Sequence, residues 1–245
     1  MHPKIYCLTS FLLRITFLCQ LYLESALLLA KNTYLISMDE KPGIRLSTRI
    51  VADTPIKAGQ GRRQDVGYIR HGTADLFAAT LIATGQLSLH SVTTSHTEVD
   101  TLTFFEQTAQ KLPPTACLIF TLDQAATHKS ESLVRWIAKH IDYQQPLGVK
   151  NRAGILKNKL SRQTFLEDTS HRIRFCFTPT HCSWMNPIEN WFGKLQQHAL
   201  KYASFPDLPA ITQRIDDYVA YYNQALAKPF KWRKTPERLV KVFSS

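Results

Sequence analysis

Two short apolar runs in the sequence each end in an aspartate. Residues 34–38 (YLISM) precede Asp39, and residues 117–122 (CLIFTL) precede Asp123. Apolar runs of this length are typical of buried strands. Open α/β sheets place their ligand-handling side chains at the carboxyl ends of such strands. We therefore expect an α/β fold in which both aspartates lie at one edge of a sheet.

A third acid, Glu189, opens a predicted helix. In the string NPIE, Asn186 can cap the helix, Pro187 fits the first helical position, and Glu189 completes a capping box. Clustered carboxylates repel one another unless cations are bound, and hard oxygen ligands suit Mg²⁺ or Mn²⁺. We predict that Asp39, Asp123 and Glu189 hold two such ions. The alternative is three surface acids that are spread apart in the fold.

The spacing of apolar residues predicts the order of the elements. A helix is predicted over residues 11–30, a strand over 34–38, a loop over the active face at 41–67, and a hairpin over 75–84 and 86–94. A helix over 98–111, a strand over 116–122, a helix over 129–140 and a basic insert at 146–172 follow. The fifth strand is predicted at 173–177, a helix from 186, and a last helix over 207–225.

The charge of the chain points to a polyanionic partner. The formal net charge is +11 and the isoelectric point is near 9.5. Lysine and arginine clusters gain free energy by releasing the counterions that are condensed on phosphates, so nucleic acid is the expected partner. The alternative is a generally basic protein whose charges are not gathered on one face.

Two sequence features bear on the compartment. The five cysteines form no CxxC pair, which disfavours a disulfide framework or a zinc site and predicts a cytoplasmic protein. Residues 11–30 are apolar, but Arg14, Gln20 and Glu24 interrupt them. We therefore expect a helix packed against the following domain and no membrane partner, with a membrane anchor as the alternative.

Several strings resemble one family of enzymes. They are LISMDEKPGIR, YIRHGTADLFAA, TLDQAATHKS, VKNRAGILKNKLSRQTFL, FTPTHCSWMNPIENWF and YYNQALAKPFKW. Together they are similar to bacterial insertion-sequence transposases of the mariner superfamily, from about residue 34 to residue 239. The block that contains Glu189 is the most specific of these matches.

The resemblance implies a ribonuclease-H-like fold with a mixed five-stranded sheet flanked by helices. It implies a DDE catalytic triad at Asp39, Asp123 and Glu189, which would perform metal-dependent cleavage and strand transfer of DNA. The implied partners are transposon ends, target DNA and a second copy of the chain. The implied location is the bacterial cytoplasm, in association with the nucleoid.

The chain departs from the family pattern in two ways. Gln124 follows the second aspartate, where such enzymes usually have asparagine. Only 38 residues precede Asp39, whereas family members carry helix-turn-helix modules there. We therefore expect residues 1–33 to be a helical linker remnant and residues 34–245 to be the catalytic domain, without a DNA sequence reader.

A further set of residues is predicted to support the site or to contact DNA. Each has an ordinary alternative, such as packing or a solvated charge. His128 could touch a phosphate or cap a helix, Trp184 could position DNA or pack in the core, and Glu40 is expected to play a structural role on the opposite side of its strand. The set is Gln124, His128, Lys129, Trp184, Asn186, Arg152, Lys157 and Lys159.

Three functions fit the sequence. The first is the catalytic domain of a DDE-type DNA transposase. The second is a truncated, inactive or regulatory DNA-binding remnant of such an enzyme. The third is a nuclease or RNA-processing enzyme with the same core, against which the SWMNPIENWF block argues by resemblance.

Overall fold

The computed structural model describes residues 3–50 and 67–232, with side chains from residue 11 onward. The helices are α1 (Pro3–Leu23), α2 (Ser25–Ala30), α3 (Glu98–Gln110), α4 (Glu131–His140), α5 (Lys159–Leu166), α6 (Ile188–Leu195) and α7 (Leu208–Tyr221). The strands are β1 (Thr33–Arg49), β2 (Tyr68–Leu81), β3 (Leu87–Thr93), β4 (Cys117–Leu122), β5 (Gly148–Val149), β6 (Ala153–Gly154) and β7 (Ile173–Phe177).

Five of the strands form one mixed sheet in the order β3-β2-β1-β4-β7. The first three are antiparallel, and β1, β4 and β7 run parallel to one another. In the pairing of β1 with β4, Ser37 lies opposite Thr121. Asp39 and Asp123 each follow two residues later, so the parallel register carries both aspartates to the same edge. The predicted α/β fold with a mixed five-stranded sheet is confirmed.

The two faces of the sheet are covered by different helices. On one face, Ile36, Met38 and Phe120 pack with side chains of α3, α4 and α5. On the other face, α6 and α7 pack against apolar residues of β1 and β2 such as Leu46 and Leu76. Alternate residues of β1 point to opposite faces, so Ser37 and Asp39 share the face that α6 covers.

The predicted loop over residues 41–67 is wrong in its first part. Strand β1 continues to Arg49 and pairs with β2 as far as Tyr68, and residues 51–66 lie outside the described residues. A bulge between Lys41 and Ile44 shifts the register. The bulge uses Gly43, whose φ of 72° favours glycine. A second register shift, between Leu46 and Ser47, interrupts the alternation that would have marked residues 44–49 as a strand.

The N-terminal helix is packed into the body of the protein, as the sequence predicts. Ile15, Leu18 and Tyr22 are buried in a cluster that includes Leu35 of β1 and Ile119 of β4. None of the described helices is long and apolar enough to cross a membrane. The boundary after residue 33 stays a prediction.

The basic insert has more regular structure than its sequence suggests. It contains the hairpin β5–β6, a 3₁₀ turn at Ile155–Lys157, and helix α5. The side chain of Asn158 caps α5 by accepting from the backbone N–H of Ser161. Leu156 and Leu166 are buried in the same core as β4 and β7. The insert is therefore attached to the sheet through its apolar residues, while its lysines face outward.

Candidate metal centre

Asp39, Asp123 and His128 form a compact group at the edge of the sheet. One potential ligand atom from each lies within 4.8 Å of the others. Asp39 is almost fully buried, whereas 30% of the Asp123 side chain is exposed. The two aspartates thus meet as the sequence predicts, although only Asp123 follows the end of its strand, since Asp39 lies within β1. Asp123 is the more accessible of the two.

Asp39 is held by two hydrogen bonds. Its Oδ1 accepts from the backbone N–H of Glu40 at 2.9 Å, and its Oδ2 accepts from Nδ2 of Asn186 at 3.1 Å. Burial raises the pKa of the Asp39 carboxyl to about 8; the nearby charge of His128 acts in the opposite direction, while Asp123 and Glu40 reinforce the rise. A bound cation would relieve this penalty.

Asp123 carries its hydrogen bonds on one oxygen. Its Oδ1 accepts from the backbone N–H of Ala125 at 2.8 Å and lies 2.8 Å from Nδ1 of His128. Burial works to raise the pKa of this carboxyl, but His128 outweighs burial and the pKa is lowered. Within the described chain Oδ2 has no hydrogen-bond partner, so it is the oxygen available to a ligand.

His128 is fully buried between two carboxylates. Its Nδ1 faces Asp123 and its Nε2 lies 3.0 Å from Oε2 of Glu40. Burial lowers the pKa of the imidazole, but the two carboxylates raise it to about 10. The imidazole is therefore protonated, and both of its ring nitrogens donate to carboxylates. Its predicted supporting role takes the form of a bridge.

Glu40 completes this bridge from the opposite side of β1, as its position in the strand predicts. Its Oε1 accepts from the hydroxyl of Thr101 on α3 at 3.2 Å, while Oε2 contacts His128. Burial acts to raise the pKa of the Glu40 carboxyl, but His128 outweighs it and the pKa is lowered. The chain Thr101, Glu40, His128, Asp123 thus connects α3 to the exposed edge of the site.

Glu189 lies in the first turn of α6, outside the compact group. Its side chain is exposed, yet partial burial raises the pKa of its carboxyl; Lys41 acts to lower it and Asp123 to raise it. Glu189 is therefore near enough to feel both charges. The predicted third acid thus interacts with the charge of Asp123 but does not join the compact group.

The predicted capping box at the start of α6 is wrong. The helix begins after Pro187, and no side chain of its own segment caps it. The Asn186 side chain is fully buried and points toward β1, where it donates to the carbonyl of Met38 and to Asp39. A buried amide cannot contact DNA, so of its two predicted roles Asn186 is placed for support of the site.

Gln124 and Lys129 interact with each other beside Asp123. The Gln124 amide donates to the carbonyl of Thr178 and accepts from Nζ of Lys129. The ammonium group lies 5.1 Å from the centre of the Phe177 ring, and burial lowers its pKa. Arg162, also buried, donates to the Lys129 carbonyl at 2.7 Å. Lys129 is thus turned inward and is not a surface cation.

The other predicted DNA-contact residues are exposed. Trp184 lies on the 3₁₀ turn before α6, with 42% of its surface accessible, while Trp191 on α6 is buried in the core. Arg152, Lys157 and Lys159 lie on the outer surface of the insert. Of these three, Lys159 is near enough to Lys129 for its charge to lower the Lys129 pKa.

The donor set fits a hard divalent cation. It consists of carboxylate oxygens from Asp39 and Asp123, with Glu189 nearby and no thiolate or free imidazole. Burial raises the pKa of Asp39 well above its ordinary value, and Asp123 keeps an open oxygen. Both features are those of carboxylates arranged to receive a cation.

Two residues that support the site, Ser37 and Thr101, were not predicted from the sequence. Ser37 contacts both Asn186 and the start of α6, and Thr101 holds Glu40. Ser37 had one visible signal, since it stands two residues before Asp39 and so faces the same side of β1. Thr101 had none, because its partner Glu40 lies 61 residues away in the chain.

Comparisons with known proteins identify similar sequences and folds. The sequence model of the DDE superfamily endonuclease family matches residues 34–212. The fold is similar to that of the Mos1 transposase paired-end complex with left transposon end (TM-score 0.53, 15% identity, 96% of this chain and 62% of that one). It is also similar to the Mos1 mariner paired end complex with Mn (TM-score 0.52, 14% identity, 96% and 61%).

The Mos1 transposase catalytic domain with Raltegravir and Mg is matched over most of its length (TM-score 0.51, 13% identity, 96% of this chain and 94% of that one). The chain thus spans about three fifths of the Mos1 chains in the paired-end complexes. No curated protein matches its sequence. At these identities the structural matches establish the ribonuclease-H-like fold.

Proposed function

The chain belongs to the DDE superfamily of endonucleases, and from this premise we propose that it is a DNA transposase catalytic domain of the mariner superfamily, of the bacterial insertion-sequence type. Its reaction would be metal-dependent hydrolysis of phosphodiesters at transposon ends, followed by strand transfer to target DNA. The observation that carries the proposal is the meeting of Asp39 and Asp123 where the parallel pairing of β1 with β4 ends.

Asp39, Asp123 and Glu189 are the proposed catalytic residues and would hold two Mg²⁺ or Mn²⁺ ions. Such ions, when bound, activate a water or a 3′-hydroxyl and stabilise the leaving oxygen of an in-line displacement. Asp39 supplies a buried carboxylate held by Asn186, and Asp123 supplies the open Oδ2. Glu189 would supply the third carboxylate from the exposed first turn of α6.

The other buried side chains keep the carboxylates in place. The His128 imidazolium holds Asp123 ionised and orients its Oδ1 away from the open edge. Glu40 accepts from the other ring nitrogen of His128, and the hydroxyl of Thr101 in turn donates to Glu40. No serine or cysteine nucleophile is needed, because the attacking group in this chemistry is water or a DNA hydroxyl.

DNA is the proposed substrate and partner. The net charge of +11 favours a polyanion, and the exposed Arg152, Lys157, Lys159 and Trp184 provide cations and an aromatic surface outside the carboxylate site. The matched Mos1 structures are of paired-end complexes, which motivates the proposal that this chain pairs two DNA ends as a homodimer. The proposed location is the bacterial cytoplasm, at the nucleoid.

A second candidate is a regulatory DNA-binding protein with the same fold and no catalysis. The interaction of Gln124 with Lys129 favours it, because that interaction turns a cation beside Asp123 inward, away from any phosphate that approaches the surface. In this candidate the chain would bind DNA, or a transposase with the same fold, without cutting.

The test is nicking of a duplex that carries candidate terminal repeats, with Mn²⁺ and without it. Asp123→Asn should abolish cleavage because it removes an anionic ligand. Asp217→Asn, which makes the same change on the exposed face of α7, should leave cleavage intact. Cleavage by the wild type no greater than by Asp123→Asn would sink the enzyme proposal. A salt-sensitive mobility shift without cleavage would favour the regulatory candidate.

A further inference from the structure

The start of helix α6 is satisfied by a strand that is remote in sequence. The first N–H groups of a helix have no partner within the helix itself. Here the backbone N–H of Ile188 donates to Oγ of Ser37 on β1 at 2.8 Å. The helix that carries Glu189 is therefore joined at its first turn to the strand that carries Asp39.

Asn186 makes the second connection between these two elements. Its Nδ2 donates to the carbonyl of Met38 at 2.9 Å and to Oδ2 of Asp39 at 3.1 Å, and its Oδ1 accepts from the hydroxyl of Ser37. Because the backbone carbonyl of Met38 can only accept, the orientation of the amide is determined. Both donors and the acceptor of this amide are satisfied.

The backbone of Asn186 completes the link to the third acid. Its carbonyl accepts from the N–H of Glu189 at 3.1 Å. One residue thus holds the Asp39 carboxylate with its side chain and the Glu189 backbone with its carbonyl. Ser37 and Asn186 are both fully buried, so neither is available to DNA.

We propose that Asn186, together with Ser37, is a positioning device that sets the separation between Asp39 and Glu189. The inference rests on the proposed function, in which these two acids are among the three that would hold the metal ions. Buried residues that orient metal ligands commonly change metal affinity when they are removed. The amide holds one carboxylate and locates the other, although it touches neither DNA nor the cation.

The test compares matched alanine substitutions on and beside α6. Asn186→Ala removes the amide, and Asn190→Ala removes the same group from an exposed position one turn along. Ser37→Ala removes only a hydroxyl and leaves the contact of Asn186 with Asp39 in place. Mn²⁺ binding to the full chain is measured by titration calorimetry, and folding by near-ultraviolet circular dichroism.

Asn186→Ala should weaken Mn²⁺ binding by about 10- to 100-fold, and Ser37→Ala should weaken it by a smaller factor. Cleavage by both variants should shift to higher Mn²⁺ concentration and recover in part at saturation. Asn190→Ala should match the wild type. A residue with only a structural role would lower the melting temperature without moving the Mn²⁺ concentration needed for half-maximal cleavage.

The inference and the proposed function can fail separately. Folded Asn186→Ala and Ser37→Ala proteins that bind Mn²⁺ like the wild type would overturn the inference. If Asn186→Ala does not fold, the affinity of Ser37→Ala decides. A wild type that binds Mn²⁺ but cuts no DNA would contradict the proposed function, while the affinities of the variants would still decide the inference. A wild type that binds no Mn²⁺ would overturn both.

Discussion

At the scale of single residues, the site is governed by how burial and neighbouring charge act on Asp39 and His128. The buried Asp39 has a pKa near 8, so its carboxyl is largely protonated at neutral pH in the absence of a cation. The buried His128 has a pKa near 10, so its imidazole stays charged. Burial disfavours the charged form of both groups. It leaves the Asp39 carboxyl neutral, whereas two neighbouring carboxylates keep the His128 imidazole charged.

The first prediction concerns the pH dependence of metal binding. A cation that binds Asp39 must displace its proton, so Mn²⁺ affinity should rise by up to about tenfold per pH unit toward pH 8 and level off above it. Calorimetric titrations from pH 6 to pH 9 test this. Asp39→Asn should bind weakly with a flat profile, and a flat profile for the wild type would contradict the assigned pKa.

The second prediction concerns stability without metal. The pKa of His128 is raised from 6.5 to about 10 on folding. Its contribution to stability is therefore fully present below pH 6.5 and is lost as the pH rises toward 10. In EDTA, the difference in melting temperature between the wild type and His128→Gln should shrink across this window. A difference that stays constant with pH would contradict the bridge that His128 forms between Asp123 and Glu40. The control is His140→Gln, which changes a histidine on the exposed end of α4.

At the scale of elements, the sequence predicted the helices and strands that depend on short-range patterns, but not the features that depend on contacts between distant residues. The five strands of the main sheet and helices α3, α4 and α7 follow from the spacing of apolar residues, and so does the shared edge of Asp39 and Asp123. The cap of α6 did not follow, because Ser37 lies 151 residues from Ile188 and an NPIE string cannot reveal it. The continuation of β1 was hidden by a bulge, and the inward turn of Lys129 depends on Gln124 and Phe177.

The third prediction tests how far α1 belongs to the core. Leu18 is fully buried against the sheet, whereas Leu13 on the same helix is 66% exposed. Leu18→Ala should lower the free energy of unfolding by about 2–5 kcal/mol, and Leu13→Ala should change it by less than about 0.5 kcal/mol. Urea denaturation measures both. Equal, small effects would mean that residues 1–33 form a linker that is independent of the sheet.

At the scale of the whole molecule, the excess positive charge strengthens DNA binding only if it lies on the surface that DNA contacts. Asp39 and Asp123 lie where the parallel pairing of β1 with β4 ends, whereas Lys31 and Lys111 come shortly before the residues at which β1 and β4 begin. The insert provides its own exposed lysines. Net charge alone does not distinguish these surfaces, but measured salt dependence does.

The fourth prediction makes that distinction. The double variant Lys157→Ala/Lys159→Ala and the double variant Lys31→Ala/Lys111→Ala each remove two charges. If DNA lies along the insert, the first should reduce the slope of log affinity against log salt concentration by about two, and the second should leave it unchanged. Fluorescence anisotropy at several sodium chloride concentrations measures the slopes. Equal slopes for the two variants would show that the insert is not the DNA surface.

The hydrogen bonds that join β1 to the start of α6 also determine when the site can form. Met38 and Asn186 are 148 residues apart in the chain, so the contact closes a very long loop. Contacts of such separation form late, because their entropic cost is repaid only after the intervening structure is in place. A growing chain would carry no assembled carboxylate centre until α6 had been synthesised. The proposed metal-dependent cleavage of DNA would therefore be confined to the fully folded protein.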